Sequence, residues 1–262
     1  PIKHSLSPVL HNYWFKKYGL NASYTTIEAE DKDLEDVIKK IRENELTGIN
    51  VTLPFKQKII NQTDKIINDA ELTGSVNTIL LDNNKIIGEN TDVFGLQAAY
   101  LKEIDDCAFK NTLVIGAGGV SPSVILSLQK SGVKNITIAN RTIEKCIFLK
   151  KKFRFLNIIE WKSIKDELMN FDIIINATSL GLKNGNDFNF NFENTKNNLI
   201  FIDTIYNPLE TKTLKYLKGK GFKVFNGLDM FIYQGQKAFY LWNKINPEID
   251  EKLIELLTSN LK

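Results

Sequence analysis

Residues 112–123 read TLVIGAGGVSPS, and the order of residue types along them decides the fold. An unbroken apolar run ending at Ile115 marks a strand buried on both faces, as parallel sheets require. Gly116, Ala117, Gly118 and Gly119 follow. At a strand-to-helix junction such glycines let the backbone come close to a pyrophosphate and aim amides at it. Ser121 stands where the third glycine of G-x-G-x-x-G would lie. It is expected to cap a helix running from Pro122 to Ser131, at the cost of looser helix packing.

Working outward, NITIAN (135–140), DIIINAT (172–178), LIFIDT (199–204) and KVFNG (223–227) repeat the apolar strand pattern, so the segment reads as successive βα units and a parallel sheet. Upstream, Leu34, Val37, Ile38 and Ile41 form a helical stripe, and a short strand is expected over Gly48–Leu53. Asn77–Leu81 and Lys85–Gly88 flank Asp82-Asn83-Asn84, a hairpin signature. From Asp229 onward the pattern is helical, with Phe231, Ile232, Phe239 and Trp242 expected in the core. The chain is therefore α/β.

Composition excludes more than it identifies. With 262 residues, 43% of them hydrophobic, one or two domains are equally admissible. The 34 basic and 31 acidic residues are spread along the chain for a net charge of +3, so no basic stripe for nucleic acid is expected. Cys107 and Cys146 form no C-x-x-C pair, which argues against a disulfide framework or zinc site and favours a reducing cytoplasm. No run nears the roughly 18 apolar residues of a membrane span. The chain starts at Pro1 rather than methionine, which leads us to expect that a first strand precedes it. A homodimer is allowed, though no residue pattern fixes the oligomeric state.

The turn after the second strand of the glycine-loop region carries the cofactor choice. NAD-binding chains place a carboxylate there against the ribose 2′-hydroxyl. This chain has Asn140-Arg141-Thr142, with Lys145 one turn on. A guanidinium flanked by an amide and a hydroxyl forks onto a 2′-phosphate, so NADP is expected.

Three further segments, PIKHSLSPVLHN (1–12), GINVTLPFK (48–56) and GSVNTI (74–79) with NTD (90–92), resemble the shikimate dehydrogenase family. Together with the glycine loop, NATSLG (176–181), DTIYNPLET (203–211) and GLDMFIYQG (227–235), the similarity spans essentially the whole chain in the family's order. The resemblance implies an α/β protein of two domains: an N-terminal substrate domain (1–93 plus 229–262) and a Rossmann-type NADP-binding domain with a parallel sheet (94–228), separated by an active-site cleft. It further implies that shikimate and 3-dehydroshikimate are interconverted with NADP.

Residue by residue, the resemblance makes Lys56 and Asp92 the catalytic pair at the reacting hydroxyl. Ser5 and Ser7 are the serines that grip the substrate carboxylate; alternating serines in an extended segment would put both hydroxyls on one face. Thr52, Asn77 and Gln234 match substrate contacts, and Tyr206 resembles a tyrosine that approaches the substrate. Thr178 and Ser179 match residues lining the cofactor, and Gly227 lies where the backbone meets the nicotinamide. His11 and Asn12 read as scaffold, and no metal is expected. A quinate/shikimate dehydrogenase using NAD shares nearly every motif, but the paired serines and Arg141 disfavour it. A non-catalytic NADP sensor is disfavoured because Lys56 and Asp92 are both present.

Overall fold

The computed structural model describes residues 5–183 and 185–261. The chain divides into two compact units: the part up to Thr91 together with the part from Ile232 onward, and Asp92–Phe231 between them.

The first unit opens on α1 (Ser7–Lys17) and α2 (Leu34–Arg42). Strands β1 (Gly48–Asn50) and β2 (Lys65–Ile66), the short α3 (Asp69–Thr73), and β3 (Thr78–Asp82) and β4 (Lys85–Glu89) follow. The sheet order is β1-β3-β4-β2, antiparallel except for the parallel β2–β4 pair. Leu34, Ile38 and Ile41 of α2 meet Val51, Val76, Ile79 and Ile86 in one core, as their helical spacing dictates. The hairpin turns at Asn83 and Asn84, whose φ values of 47° and 60° are those of a two-residue turn matched to strand twist. The expected strand 48–53 is shorter than predicted: after Val51 donates its amide to the Asn77 carbonyl (2.8 Å), the chain leaves the sheet ahead of Pro54, which has no amide hydrogen to continue the ladder.

The second unit begins with α4 (Asp92–Ala99) and continues β5 (Asn111–Ile115), α5 (Ser121–Lys130), β6 (Asn135–Ala139), α6 (Ile143–Lys152), β7 (Asn157–Ile158), α7 (Ile164–Glu167), β8 (Ile173–Asn176), β9 (Ile200–Asp203), α8 (Lys212–Gly219) and β10 (Lys223–Phe225). All six strands are parallel, in the order β10-β9-β8-β5-β6-β7. The order reverses between β5 and β8, and ligands of such sheets bind beyond the carboxyl ends of the strands at that reversal. Leu113, Ile115, Ala139, Ile174 and Phe201 build the core, all but Ala139 from continuous apolar runs, Ala139 from a strand that Thr137 interrupts.

The chain then forms α9 (Leu228–Asn243), which crosses the boundary between the units, and α10 (Glu251–Ser259). Within the first unit α10 is tied to α1: the Tyr13 hydroxyl bonds Asp250 (2.8 Å), Trp14 Nε1 donates to the Glu248 carbonyl (3.0 Å), and Lys17 pairs with Asp250. Among the described residues, no helix is long and apolar enough to cross a membrane.

Candidate active site

In the first unit the functional residues sit in a web of uncharged hydrogen bonds. Asn77, 3% exposed, immediately precedes β3. Its Oδ1 accepts from the Thr91 amide (2.8 Å) and the Thr78 hydroxyl (3.0 Å), and its Nδ2 donates to Thr91 Oγ1 (2.9 Å). Gln234 Oε1 lies 3.5 Å from both Asn77 Nδ2 and Thr91 Oγ1, so the structure brings these two predicted residues together. Asn50 donates to the Asn77 carbonyl (3.2 Å) and to Thr78 Oγ1 (3.1 Å). Lys56 is half-buried, and its carbonyl accepts the Val76 amide (2.8 Å), which seats it one residue from Asn77 along the paired segment. Thr52 is exposed at the turn where the Phe55 amide bonds its carbonyl (2.9 Å).

The N-terminal serines differ from expectation. Leu6 is helical, Ser7 is the first residue of α1, and the Ser5 hydroxyl accepts the Ser7 amide (3.2 Å). The segment is not extended because Pro8 suits the first helical turn, where its missing amide hydrogen leaves no bond unmade, and Ser5 satisfies an amide that the helix cannot. Asp92, the residue after Thr91, opens α4 with its side chain buried; it belongs to the second unit.

In the second unit the site is made by strand ends. Gly116, at φ +116°, lies so close to the end of β8 that an added Cβ would stand 2.7 Å from the Ala177 carbonyl oxygen and 2.9 Å from Thr178 Cγ2. Only glycine permits that approach, and it puts the glycine loop beside Thr178 at the reversal of strand order. Ser121 does not cap α5. It is the first helical residue, fully buried, and its hydroxyl accepts the Gly118 amide (3.0 Å) and donates to the Gly116 carbonyl (2.9 Å), bracing the loop from within. Asn140 braces the same loop from the next strand, accepting the Ala117 amide (3.2 Å) and donating to the Thr142 carbonyl (2.9 Å). Arg141, Thr142 and Lys145 are exposed at the start of α6, where the helix dipole adds to their attraction for an anion.

Thr178 is fixed by Asn176, whose Oδ1 accepts both its amide (3.0 Å) and its hydroxyl (2.7 Å), while Ser179 is exposed. Asn176 also donates to Asp203 Oδ1 (3.0 Å), and Asp203 accepts the Ile205 amide (3.1 Å) and the Thr211 hydroxyl (2.9 Å). At 1% exposure, burial outweighs these bonds and pushes the Asp203 carboxyl up to about 6. Tyr206 packs its ring 4.8 Å from that of Phe231, and burial raises its phenol. Gly227 admits no side chain either: a Cβ would lie 2.3 Å from the Thr204 carbonyl oxygen. Its neighbours are pinned by Tyr100, whose hydroxyl donates to the Asn226 carbonyl (2.5 Å) and accepts the Met230 amide (3.2 Å).

Sequence reasoning missed Asn50, Thr78, Asn176, Asp203 and Tyr100. One signal was available: strand alternation places Asn50 on the same face as Thr52. Among the described residues, no group of His, Cys, Asp and Glu could hold a metal ion.

Residues 1–79 match the family described as the shikimate dehydrogenase substrate binding domain, and residues 98–213 match shikimate / quinate 5-dehydrogenase. A curated shikimate dehydrogenase (NADP(+)) of Pelagibacter ubique is 47% identical over 257 residues, covering 98% of this chain and 96% of its own. The crystal structure of shikimate dehydrogenase from Aquifex aeolicus is similar at 38% identity and a TM-score of 0.89, over 98% of this chain and 94% of that one. The Thermus thermophilus shikimate 5-dehydrogenase solved with NADP(H) and shikimate gives a TM-score of 0.89 at 30% identity, over 100% of this chain and 97% of that one.

Proposed function

This chain belongs to the shikimate dehydrogenase family, and from that premise we infer that it oxidises shikimate reversibly to 3-dehydroshikimate with NADP as the hydride acceptor. It is an oxidoreductase acting on a secondary alcohol, in the pathway that leads to chorismate and the aromatic amino acids. The observation that carries the reading is the neutral network around Asn77, Thr91 and Gln234, adjoining Lys56. Uncharged donors and acceptors suit a polyhydroxylated ring and penalise a wrong polyol by leaving polar groups unpaired.

The second unit fits NADP: Gly116 keeps open a cradle that a Cβ would fill, and the exposed Arg141, Thr142 and Lys145 supply the donors a 2′-phosphate needs. Bound NADP supplies the nicotinamide carbon that receives hydride. The remaining work belongs to side chains. Ser5 and Ser7 hold the carboxylate; Thr52, Asn77 and Gln234 hold the ring hydroxyls, and Tyr206 is a further substrate contact. Lys56 takes the hydroxyl proton as hydride leaves carbon, with Asp92 as the second catalytic residue. Gly116, Ala117, Gly118 and Gly119 with Thr178, Ser179 and Gly227 face the cofactor, and Asn140 holds its turn in place. We accordingly assign substrate to 1–93 plus 229–262 and cofactor to 94–228. A cytoplasmic setting suits the two buried free cysteines, and a homodimer is retained in this reading, though no proposed role depends on it.

The test is one absorbance assay of nicotinamide reduction with shikimate or quinate, each with NADP or NAD. Fast reduction with shikimate and NADP is expected; reduction only with quinate or with NAD would overturn the reading.

A further inference from the structure

Between α3 and β3 the chain runs as Gly74-Ser75-Val76-Asn77 outside regular structure, and a side chain from beyond β4 holds one of its peptide groups. Asn90, 2% exposed, donates from Nδ2 to the Ser75 carbonyl (2.9 Å) and to Thr73 Oγ1 (3.2 Å). Thr73 has one hydroxyl proton, and its 2.6 Å contact with the Asp69 carbonyl takes that proton ahead of the 3.3 Å contact with the Ser75 carbonyl. The two hydrogens of the Asn90 carboxamide thus serve Thr73 and Ser75. The Asn90 backbone is fixed as well: its amide donates to Glu89 Oε1 (3.0 Å), and Glu89 Oε2 accepts Asn68 Nδ2 (2.6 Å).

The Ser75 carbonyl and the Val76 amide belong to one peptide group, and that amide donates to the Lys56 carbonyl (2.8 Å). A single planar unit therefore bonds Asn90 at one end and Lys56 at the other. Lys56 lies past the end of β1 and past Pro54, outside the sheet ladder, and this bond ties its backbone to the segment that carries Asn77.

We propose that Asn90 is a positioning residue for Lys56: it fixes the plane of the Ser75–Val76 peptide, and through that plane the backbone from which the lysine side chain reaches the substrate. The inference rests on the reading of Lys56 given above. A peptide that accepts a hydrogen bond at its carbonyl is a stronger donor at its amide, and more so where the dielectric is low. Without the carboxamide the buried Ser75 carbonyl loses a donor, the peptide plane is free to turn, and the Lys56 carbonyl turns with it. Asn77 keeps its own bonds to Thr91, so the ring contacts survive the change.

In Asn90→Ala the expected result is a kcat for shikimate oxidation lowered about tenfold, as for loss of one buried hydrogen-bonding group, with the shikimate KM little changed. Asn90→Ser, which leaves a small polar group in place, is read in the same way should the alanine chain not fold. In a Lys56→Ala background the same change should lower the residual rate no further, because its effect passes through Lys56. Thr73→Val is the control: it removes a bond to the same carboxamide and lowers the thermal midpoint comparably, yet spares the bond to Ser75 and should keep kcat. An unchanged kcat in the Asn90 variants, while Lys56→Ala abolishes turnover, would overturn the inference and leave the Lys56 reading intact. Equal losses with and without Lys56, or a kcat in Thr73→Val that falls as far as in Asn90→Ala, would overturn it too. If Lys56→Ala alone retains turnover, the Lys56 reading fails and the inference falls with it.

Discussion

The unit carrying Lys56 and the unit carrying Arg141 make polar sites in opposite ways. In the first, side chains do the work: Tyr24, Asn50, Asn77, Thr78, Thr91 and Gln234 bond one another across distant parts of the chain. In the second, the backbone at parallel strand ends does it, with Gly116 and Gly227 allowing close approach and Ser121, Asn140, Asn176 and Asp203 serving as braces. A side-chain network can select among polyols because each member is a specific donor or acceptor. A backbone cradle accepts any diphosphate of the right shape, so choice between cofactors falls to the few exposed side chains at Arg141–Lys145.

If chemistry belongs to Lys56 and cofactor binding to the other unit, Lys56→Ala should cut turnover by roughly 10²–10⁴-fold, the span of a lost acid–base group. NADP affinity, read by titration, should stay at its original value. Turnover retained in that variant would remove Lys56 from the chemistry and break the comparison at its base.

Acid should also affect the two units with opposite sign. Burial among aromatic rings lowers His11 from 6.5 to about 3, and neither ring nitrogen has a hydrogen-bond partner. Unfolding around it takes up a proton, so stability is lost as pH falls below 6.5, by on the order of 5 kcal/mol once His11 must be charged in the fold. Asp203 is raised from 3.8 to about 6. Unfolding there releases a proton, so its local contribution falls as pH rises from 3.8 toward 6, by on the order of 3 kcal/mol. Hydrogen exchange, corrected for intrinsic rates, should show amides of α1 losing protection as pH drops through this window while those of β8 and β9 do not. His11→Phe should abolish the loss in α1; acid sensitivity surviving that change would place its source elsewhere.

How much of this was legible in sequence follows the same division. The second unit's strands were readable because doubly buried parallel strands are continuous apolar runs, and the glycines mark where they end. Strand β7 was missed because two residues, Asn157 and Ile158, carry no period. The serine segment was misjudged because alternation suggested a strand, whereas Pro8 and the Ser5 hydroxyl favour a helix start. In the first unit the named motifs pointed to Asn77 and Gln234, but the bond that joins them spans 157 residues, and that from Tyr24 to Asn50 spans 26. No local pattern announces such pairs; tertiary packing creates them. Asp203 and Asn176 read as ends of apolar strands, and only burial shows that their side chains hold the loops.

The most direct test is one series of calorimetric titrations, with NADP and shikimate each run against the original chain, Asn77→Ala and Arg141→Asp. Asn77→Ala should weaken shikimate alone and Arg141→Asp should weaken NADP alone, each by about tenfold or more, as expected for losing a buried hydrogen-bonded group or a charge-assisted pair. The crossed pattern, with Asn77→Ala weakening NADP or Arg141→Asp weakening shikimate, would contradict the assignment of the two ligands to the two units.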